Sequence, residues 1–148
     1  MRNSRDLEAI GGMIAILSVR LDVARHALRQ AELAHERARN RRDDAQDQRD
    51  RAARGWLAAL QSTQPDPVML SATGTWLVEH EARLRTATLN ETIAEQERVV
   101  AHGELALRHA EREVTGQIGS RLKREIARRR DERLANDLAD HHLRERSV

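Results

Sequence analysis

Two histidine–glutamate pairs come closest to a catalytic pattern in this chain. His35-Glu36 and His80-Glu81 each begin the HExxH sequence that places two zinc ligands on one helix face, but neither is followed by the second histidine. Gly11-Gly12 is not followed by the GK[ST] of a phosphate-binding loop. The sequence therefore predicts a protein that is not an enzyme and that uses neither a metal ion nor a cofactor.

A cluster of basic residues near the end of the chain is the other group whose chemistry suggests a ligand. Guanidinium groups bind phosphates, so nucleic acid is one candidate partner. Glutamates and aspartates dilute the cluster, however, and no aromatic residue lies within it to stack on bases. A protein-docking surface and a solvated helix surface are the other two interpretations. The cluster comprises Arg121, Lys123, Arg124, Arg128, Arg129, Arg130 and Arg133.

The composition indicates long helices rather than a globular core. Only 1% of the 148 residues are aromatic and 34% are charged. A core of this size normally uses several aromatic side chains, whereas long-helix proteins are rich in alanine and charge. There is no cysteine, which excludes a disulfide framework. The apolar stretch from Ile10 to Leu17 is too short to span a bilayer, and no signal-peptide cleavage site is evident, so we expect a cytoplasmic protein.

Apolar residues spaced by threes and fours predict two helices in a single domain that covers residues 1–148. The first helix is expected over about 4–62 and the second over about 75–143. The break between them, about 63–74, contains Pro65 and Pro67, which disfavour helix for the residues before them. Ser71–Thr75 is expected to supply turn and cap residues to the same break.

The two predicted helices are complementary when they are aligned in reverse, so that facing residue numbers sum to 138. Small residues then face large ones, as Ala31 faces Leu107, and closely packed helices need such matching. This alignment predicts an all-α fold, a long two-helix antiparallel coiled-coil hairpin with an overhanging C-terminal helix. The predicted contact residues, called the hairpin seam, are Ala24, Leu28, Ala31, Ala38, Ala45, Ile93, Val100, Leu107, Ala110 and Val114.

The termini and the connecting loop of this hairpin differ in charge. Residues 1–29 and 114–148 together hold fourteen basic groups and nine acids, a net charge of +5. Residues 30–113 hold twelve basic groups and fifteen acids, a net charge of −3. The overhang leaves Leu134 and Leu138 without an intramolecular partner. The terminal end is therefore predicted to be basic and partly apolar.

The chain resembles the FliJ/YscO family, the stalk proteins of type III secretion and flagellar export ATPases. The resemblance rests on length, two helices, basic termini, a longer second helix, and the run Leu89-x3-Ile93-x2-Gln96. It implies a non-enzymatic central stalk whose terminal end enters a hexameric ATPase ring, promotes its assembly and turnover, and links it to an export-gate membrane protein. Secretion chaperones are further expected partners. The implied location is the cytoplasm, peripheral to the inner-membrane export apparatus, with no insertion into the bilayer and no nucleic acid bound.

The resemblance also implies two sets of contact residues. At the gate-binding face, Arg85 stands where an aromatic residue is usual and Thr92 where a small apolar residue is usual, which favours a virulence or symbiosis system over a flagellum. That face comprises Arg85, Leu89, Thr92 and Gln96. The ATPase-docking set comprises Arg2, Arg5, Leu7, Ile10, Arg124, Arg128, Arg129, Arg130, Arg133, Leu134 and Leu138.

Two alternatives stay open at the level of sequence. A generic coiled-coil scaffold or homodimerising adaptor would have the same helix periodicity. An arginine-rich nucleic-acid binder would have to bind with steep salt dependence, because phosphate contacts release counterions.

Overall fold

The computed structural model describes the backbone of residues 2–145 and the side chains of residues 5–139. Helix α1 spans Arg2–Leu60 and helix α2 spans Pro67–Glu145. Residues 61–66 connect them, and the described residues contain no strand. The two long helices pack against each other, which confirms the predicted all-α helical hairpin.

The connection between the helices is shorter than the sequence predicted. Pro67 is the first residue of α2, where a proline loses nothing because the first N–H groups of a helix have no intrahelical partner. Asp66 caps the helix, since its Oδ1 accepts a hydrogen bond from the Val68 N–H at 2.9 Å. The prediction that helix begins only near residue 75 was therefore wrong, because Pro67 starts the helix rather than preventing it.

Hydroxyl groups in the early part of α2 also fit a helix. Thr73 and Thr75 each donate a hydrogen bond to the carbonyl four residues earlier, at 2.8 and 2.9 Å. Thr86, Thr88 and Thr92 do the same at 2.9–3.1 Å. A hydroxyl bonded in this way is compatible with helix, which explains why Ser71–Thr75 does not form the expected turn.

The chain divides into two compact units. One, called here the turn unit, is Arg25–Glu104, and the other, called the terminal unit, joins the residues up to Ala24 with the residues from Leu105 onward. The buried side chains of the turn unit are Ala52, His80 and Ala94. Those of the terminal unit include Leu21, which is 1% exposed, and Ala24. Each unit thus has a narrow core built mainly from small residues.

Contacts between the helices of the turn unit define its register. His35 Nε2 lies 3.4 Å from Glu95 Oε2, and Arg49 Nε lies 3.4 Å from Glu81 Oε1. The backbone of Gly74 faces Trp56, whose Nε1 would lie 3.5 Å from a Cβ at that position. In all three pairs the residue numbers sum to 130 rather than the predicted 138.

The terminal unit has a closely similar register. A Cβ added at Gly119 would lie 3.0 Å from Ile10 Cγ2. Ile14, one turn further along α1, shares a groove with His109 and Gly116. As α1 advances, α2 therefore runs back, so the two helices are antiparallel within this unit.

The register overturns the α2 half of the predicted hairpin seam. A shift of eight residues moves α2 by about 12 Å along its axis and turns its face by about 80°. Residues that contact α1 at these levels of α2 include Ala94, which is buried, and Glu91. The predicted seam residues of α2 are exposed instead: Ile93, Val100, Leu107, Ala110 and Val114.

The α1 half of the predicted seam lies on the side of α1 that packs against α2. The buried and half-buried residues with which each helix packs against the other are called here its contact face. Ala24 is 5% exposed, and the neighbouring seam positions are half-buried. The half-buried ones are Leu28, Ala31, Ala38 and Ala45. What was wrong was the choice of partners on α2, because the match of large to small residues selected a register sum of 138 where the interhelical contacts of the turn unit give 130.

Candidate interaction surfaces

Ion pairs between the helices are the main polar feature of the turn unit. Arg42 donates two hydrogen bonds to Glu91, from Nε at 2.9 Å and from Nη2 at 3.3 Å. The hydrogen bond to Glu91 raises the pKa of the Arg42 guanidinium, and the negative charge of Asp43 acts in the same direction. Arg49 and Glu81 attract each other at 3.4 Å without the alignment of a hydrogen bond. These pairs fix the register of α2 against α1.

Arg98 and Glu95 form a second polar group, next to His35. Arg98 Nε and Nη2 each donate to a Glu95 oxygen at 2.7 Å. The hydrogen bond from Arg98 lowers the pKa of Glu95, and the same bond raises the pKa of Arg98. Sequence reasoning missed the interhelical pairs made by His35, Arg42 and Arg49, although the alternation of acids and arginines along both helices was a usable signal.

His80 is buried to 5% exposure between the helices of the turn unit. Neither of its ring nitrogens has a hydrogen-bond partner among the described residues. Its one aromatic contact there is an edge-on approach to Trp76, with ring centroids 5.0 Å apart. Within residues 5–139, no group of three or more His, Cys, Asp or Glu side chains is placed to hold a metal ion.

The gate-binding face implied by the resemblance is an exposed surface of the turn unit. Its four positions follow one another by four, three and four residues, so they share one side of α2. Leu89 is 64% exposed, and the Thr92 hydroxyl donates to the Thr88 carbonyl at 3.0 Å. The structure therefore brings Arg85, Leu89, Thr92 and Gln96 together on one accessible surface.

The ATPase-docking residues divide into packed and exposed groups, all within the terminal unit. Leu7 and Ile10 are half-buried on the α1 contact face, and Leu134 and Leu138 are 52% and 64% exposed on α2. The side chain of Arg2 lies outside the described residues. The remaining members, Arg5, Arg124, Arg128, Arg129, Arg130 and Arg133, are exposed.

The basic cluster is partly neutralised by acids on its own helix. Arg128 Nε lies 3.1 Å from Glu132 Oε1, and Arg129 pairs with Glu125. Such exposed pairs contribute at most ~1 kcal/mol each and leave the arginines free to exchange partners. The arrangement provides a charged surface that can bind acidic groups.

The described part of the chain contains no helical segment long and apolar enough to cross a membrane. Comparison with protein-family models, with curated proteins and with solved structures found no match for this chain.

Proposed function

We propose that this protein is a non-enzymatic central-stalk component of a type III secretion export apparatus. In this proposal its basic terminal end docks into a hexameric ATPase ring, promotes ring assembly and ATP turnover, and links the ring to the export-gate membrane protein. The protein would then act in the cytoplasm, at the periphery of the inner-membrane export apparatus. The observation that supports it best is the continuation of α2 beyond the level of the first residues of α1.

The length of α2 follows from the register of the terminal unit. With Ile10 opposite Gly119, the first helical residue of α1 faces a position near residue 127. Helix α2 nevertheless continues to Glu145, so it extends as a single helix over about 18 residues, or about 27 Å. A helix of this kind can enter a narrow ring that a helix pair would not fit.

The side chains of this extension also suit a protein partner. Leu134 and Leu138 lie one turn apart and are more than half exposed, and Arg130 and Arg133 flank them. Burial of two leucines would contribute about 1.5–3 kcal/mol each, and acidic groups in a ring pore would complement the arginines. These features support docking of the extension against an acidic, partly apolar surface.

The exposed face around Leu89 supports the second contact of the proposed stalk. Leu89 and Ile93 are both more than half exposed in the turn unit, with Gln96 one turn further on. An accessible apolar strip with a polar rim is typical of a docking surface. We assign the export gate to this strip because it coincides with the family face named above.

Titration of the export ATPase from the same genome tests the proposal. The full chain should raise the ATP hydrolysis rate and co-elute with the hexamer. The variant Leu134→Glu/Leu138→Glu should lose both effects, since it places charge on the docking surface. The matched control Val68→Glu/Val78→Glu makes the same charge change at two exposed positions of α2, 76% and 68% accessible, and should behave as the unaltered chain.

Two results would contradict the proposal. If the full chain neither stimulates nor co-elutes with the ATPase, a stalk role is excluded and a coiled-coil scaffold becomes the better interpretation. If both double variants stimulate equally, the ATPase binds elsewhere on the chain and the extension is not the docking element. Circular dichroism at 222 nm should show that both variants retain full helicity.

A further inference from the structure

One side of the terminal unit is lined by large apolar side chains that the fold leaves exposed. On α1 they directly precede residues of the contact face, as Ile16 precedes Leu17 and Val23 precedes Ala24. On α2, Val114 precedes Thr115 and Ile118 precedes Gly119 in the same way. The set, called here the apolar side, is Met13, Ile16, Val23, Leu107, Val114 and Ile118, each 51–64% exposed.

These residues lie on the same side of the helix pair because the helices are antiparallel. In an antiparallel pair of right-handed helices, the residues one position before the contact face of each helix project to the same side of the pair. In a parallel pair they would project to opposite sides. The residues that directly follow the contact face form the opposite side, and they are small or polar: Glu8, Gly11, Ala15, His109, Arg112 and Ser120. The terminal unit is thus amphipathic, with a contiguous apolar patch of the kind that marks an interaction surface.

Arg20 lies in the middle of this apolar side, directly before the buried Leu21. It has no ion-pair partner among the described side chains, residues 5–139. Two copies that packed their apolar sides face to face would bring two Arg20 side chains near the symmetry axis, which is unfavourable. The patch is instead complementary to an apolar helix surface that carries an acidic side chain.

The C-terminal extension of α2 has these properties. All described residues from 127 to 139 are exposed, so nothing in the described structure covers them. Asp131 stands four residues after Ala127 and three before Leu134, and Arg20 stands four after Ile16 and three before Val23. Asp131 therefore has the same position between Ala127 and Leu134 as Arg20 has between Ile16 and Val23. The part of the extension whose side chains are described, residues 127–139, covers about 18 Å, which is similar to the 15 Å or so from Met13 to Val23.

The extension cannot reach the apolar side of its own chain. Ser120–Glu145 is continuous helix and contains neither glycine nor proline, the residues at which helices bend sharply. The extension therefore points away from Met13 and Ile118 in its own chain. A C-terminal extension that covers this patch therefore belongs to another copy.

We propose that two copies of this chain associate by exchanging their C-terminal extensions. The extension of each copy lies on the apolar side of the other, with Asp131 beside Arg20, Leu134 against Val23, and Leu138 one turn beyond. A two-fold axis makes the two contacts identical and closes the assembly as a dimer. The inference does not depend on the stalk function, but both use Leu134 and Leu138, so ring docking and self-association exclude each other.

Sedimentation equilibrium of the full chain between about 1 µM and 1 mM tests the proposal. We expect a reversible monomer–dimer equilibrium. Arg20→Asp and Asp131→Arg should each weaken association about tenfold or more, because each brings like charges together. The double variant Arg20→Asp/Asp131→Arg should restore it to within a few-fold of the unaltered chain. Val78→Glu, a charge added to the turn unit, should leave it unchanged.

Crosslinking identifies the surfaces directly, because the chain has no cysteine of its own. One sample of chain carrying Val23→Cys, mixed with another carrying Leu134→Cys, should give disulfide-linked heterodimers under mild oxidation. Either sample alone should give far fewer homodimers. Circular dichroism at 222 nm checks that every variant is folded.

Three results would overturn the proposal. The first is a single monomeric species up to 1 mM. The second is a dimer whose affinity the charge exchange does not restore. The third is a predominance of Val23→Cys homodimers, which would show that the apolar sides pack face to face.

Discussion

The close approach of Ile10 to Gly119 makes a sharp prediction about two glycines of one helix. A Cβ at Gly119 would lie 3.0 Å from Ile10 Cγ2, whereas a Cβ at Gly116 would have nothing within 4 Å. Both glycines belong to the terminal unit and are three residues apart on α2. Gly119→Ala and Gly116→Ala therefore add the same methyl group, which is obstructed by Ile10 at position 119 and is unobstructed at position 116.

The expected effects have opposite signs. Alanine is favoured over glycine inside a helix by about 0.8–1 kcal/mol, so Gly116→Ala should raise the free energy of unfolding by that amount. The same gain applies at Gly119, but forcing a methyl group into a filled space costs about 1–3 kcal/mol. Since the obstructing atom is the branched methyl of Ile10, it moves only with the whole side chain. Gly119→Ala should therefore lower the free energy of unfolding by up to about 2 kcal/mol.

Urea denaturation and thermal unfolding, both followed by circular dichroism at 222 nm, measure these effects. The thermal midpoint should rise by about 2–4 °C for Gly116→Ala, as expected for 1 kcal/mol in a chain of this size. In an Ile10→Ala background the obstructing methyl is gone, so Gly119→Ala should then stabilise as Gly116→Ala does. The reasoning is refuted if Gly119→Ala stabilises the unaltered chain as much as Gly116→Ala, because Ile10 and Gly119 would then not be in contact.

Three further predictions concern the turn unit. Cysteines at His35 and Glu95 should form a disulfide within one chain, whereas cysteines at His35 and Gly103 should not, since Gly103 lies about 12 Å further along α2. An abundant disulfide between positions 35 and 103 would support the register sum of 138 instead. Arg98→Gln should raise the pKa of Glu95, measured by carboxyl ¹³C titration. Because that pKa is lowered in the folded state, the stabilisation is complete above the ordinary glutamate range and is lost as the pH falls through the folded value; an unchanged titration would show that Arg98 does not bind Glu95. His80→Leu should increase the free energy of unfolding by about 1 kcal/mol in urea, because it removes a buried polar ring without hydrogen bonds; a loss of stability would show that the imidazole is satisfied.

The sequence predicted the helices better than it predicted how they meet. The spacing of apolar residues by threes and fours located both helices, and it identified Ala24 and Leu28 on the contact face of α1. On α2 the same criterion selected Ile93, Val100 and Leu107, which are exposed. Periodicity detects every apolar stripe on a helix, but it does not say which stripe the partner helix covers.

From residue 87 onward, the stripe of α2 that faces α1 in the turn unit is made of small and charged residues. Ala87, Ala94 and Ala101 recur every seven positions and are buried or half-buried. Between them, Glu91 and Arg98 extend along the interface and make ion pairs. Alanine buries little area, so its contribution is inconspicuous in a hydrophobicity pattern, although it permits a closer approach of the two backbones. The recurrence of alanine every seven residues was the signal that could have identified this face.

The candidate sites were predictable to different degrees. Once the contact face of α2 is known, the exposure of Arg85 and Leu89 follows from their angular separation from that face about the helix axis. The apolar side of the terminal unit required the register, because Val23 and Leu107 become neighbours only when α1 and α2 are aligned correctly. Pairing of arginines with acids on the same helix, such as Arg128 with Glu132, could be expected from their four-residue spacing.

The threonines of α2 make part of the protein surface more apolar than its composition indicates. The mean hydropathy of the chain is −0.73, a value that counts every threonine as a polar residue. At Thr86, Thr88 and Thr92, however, the hydroxyl donates inward to a helix carbonyl. Each side chain then has its only donor engaged and presents a methyl group among Leu89 and Ile93. The early part of α2 should consequently adsorb to hydrophobic chromatography media more strongly than its composition suggests, as a strip of valines would.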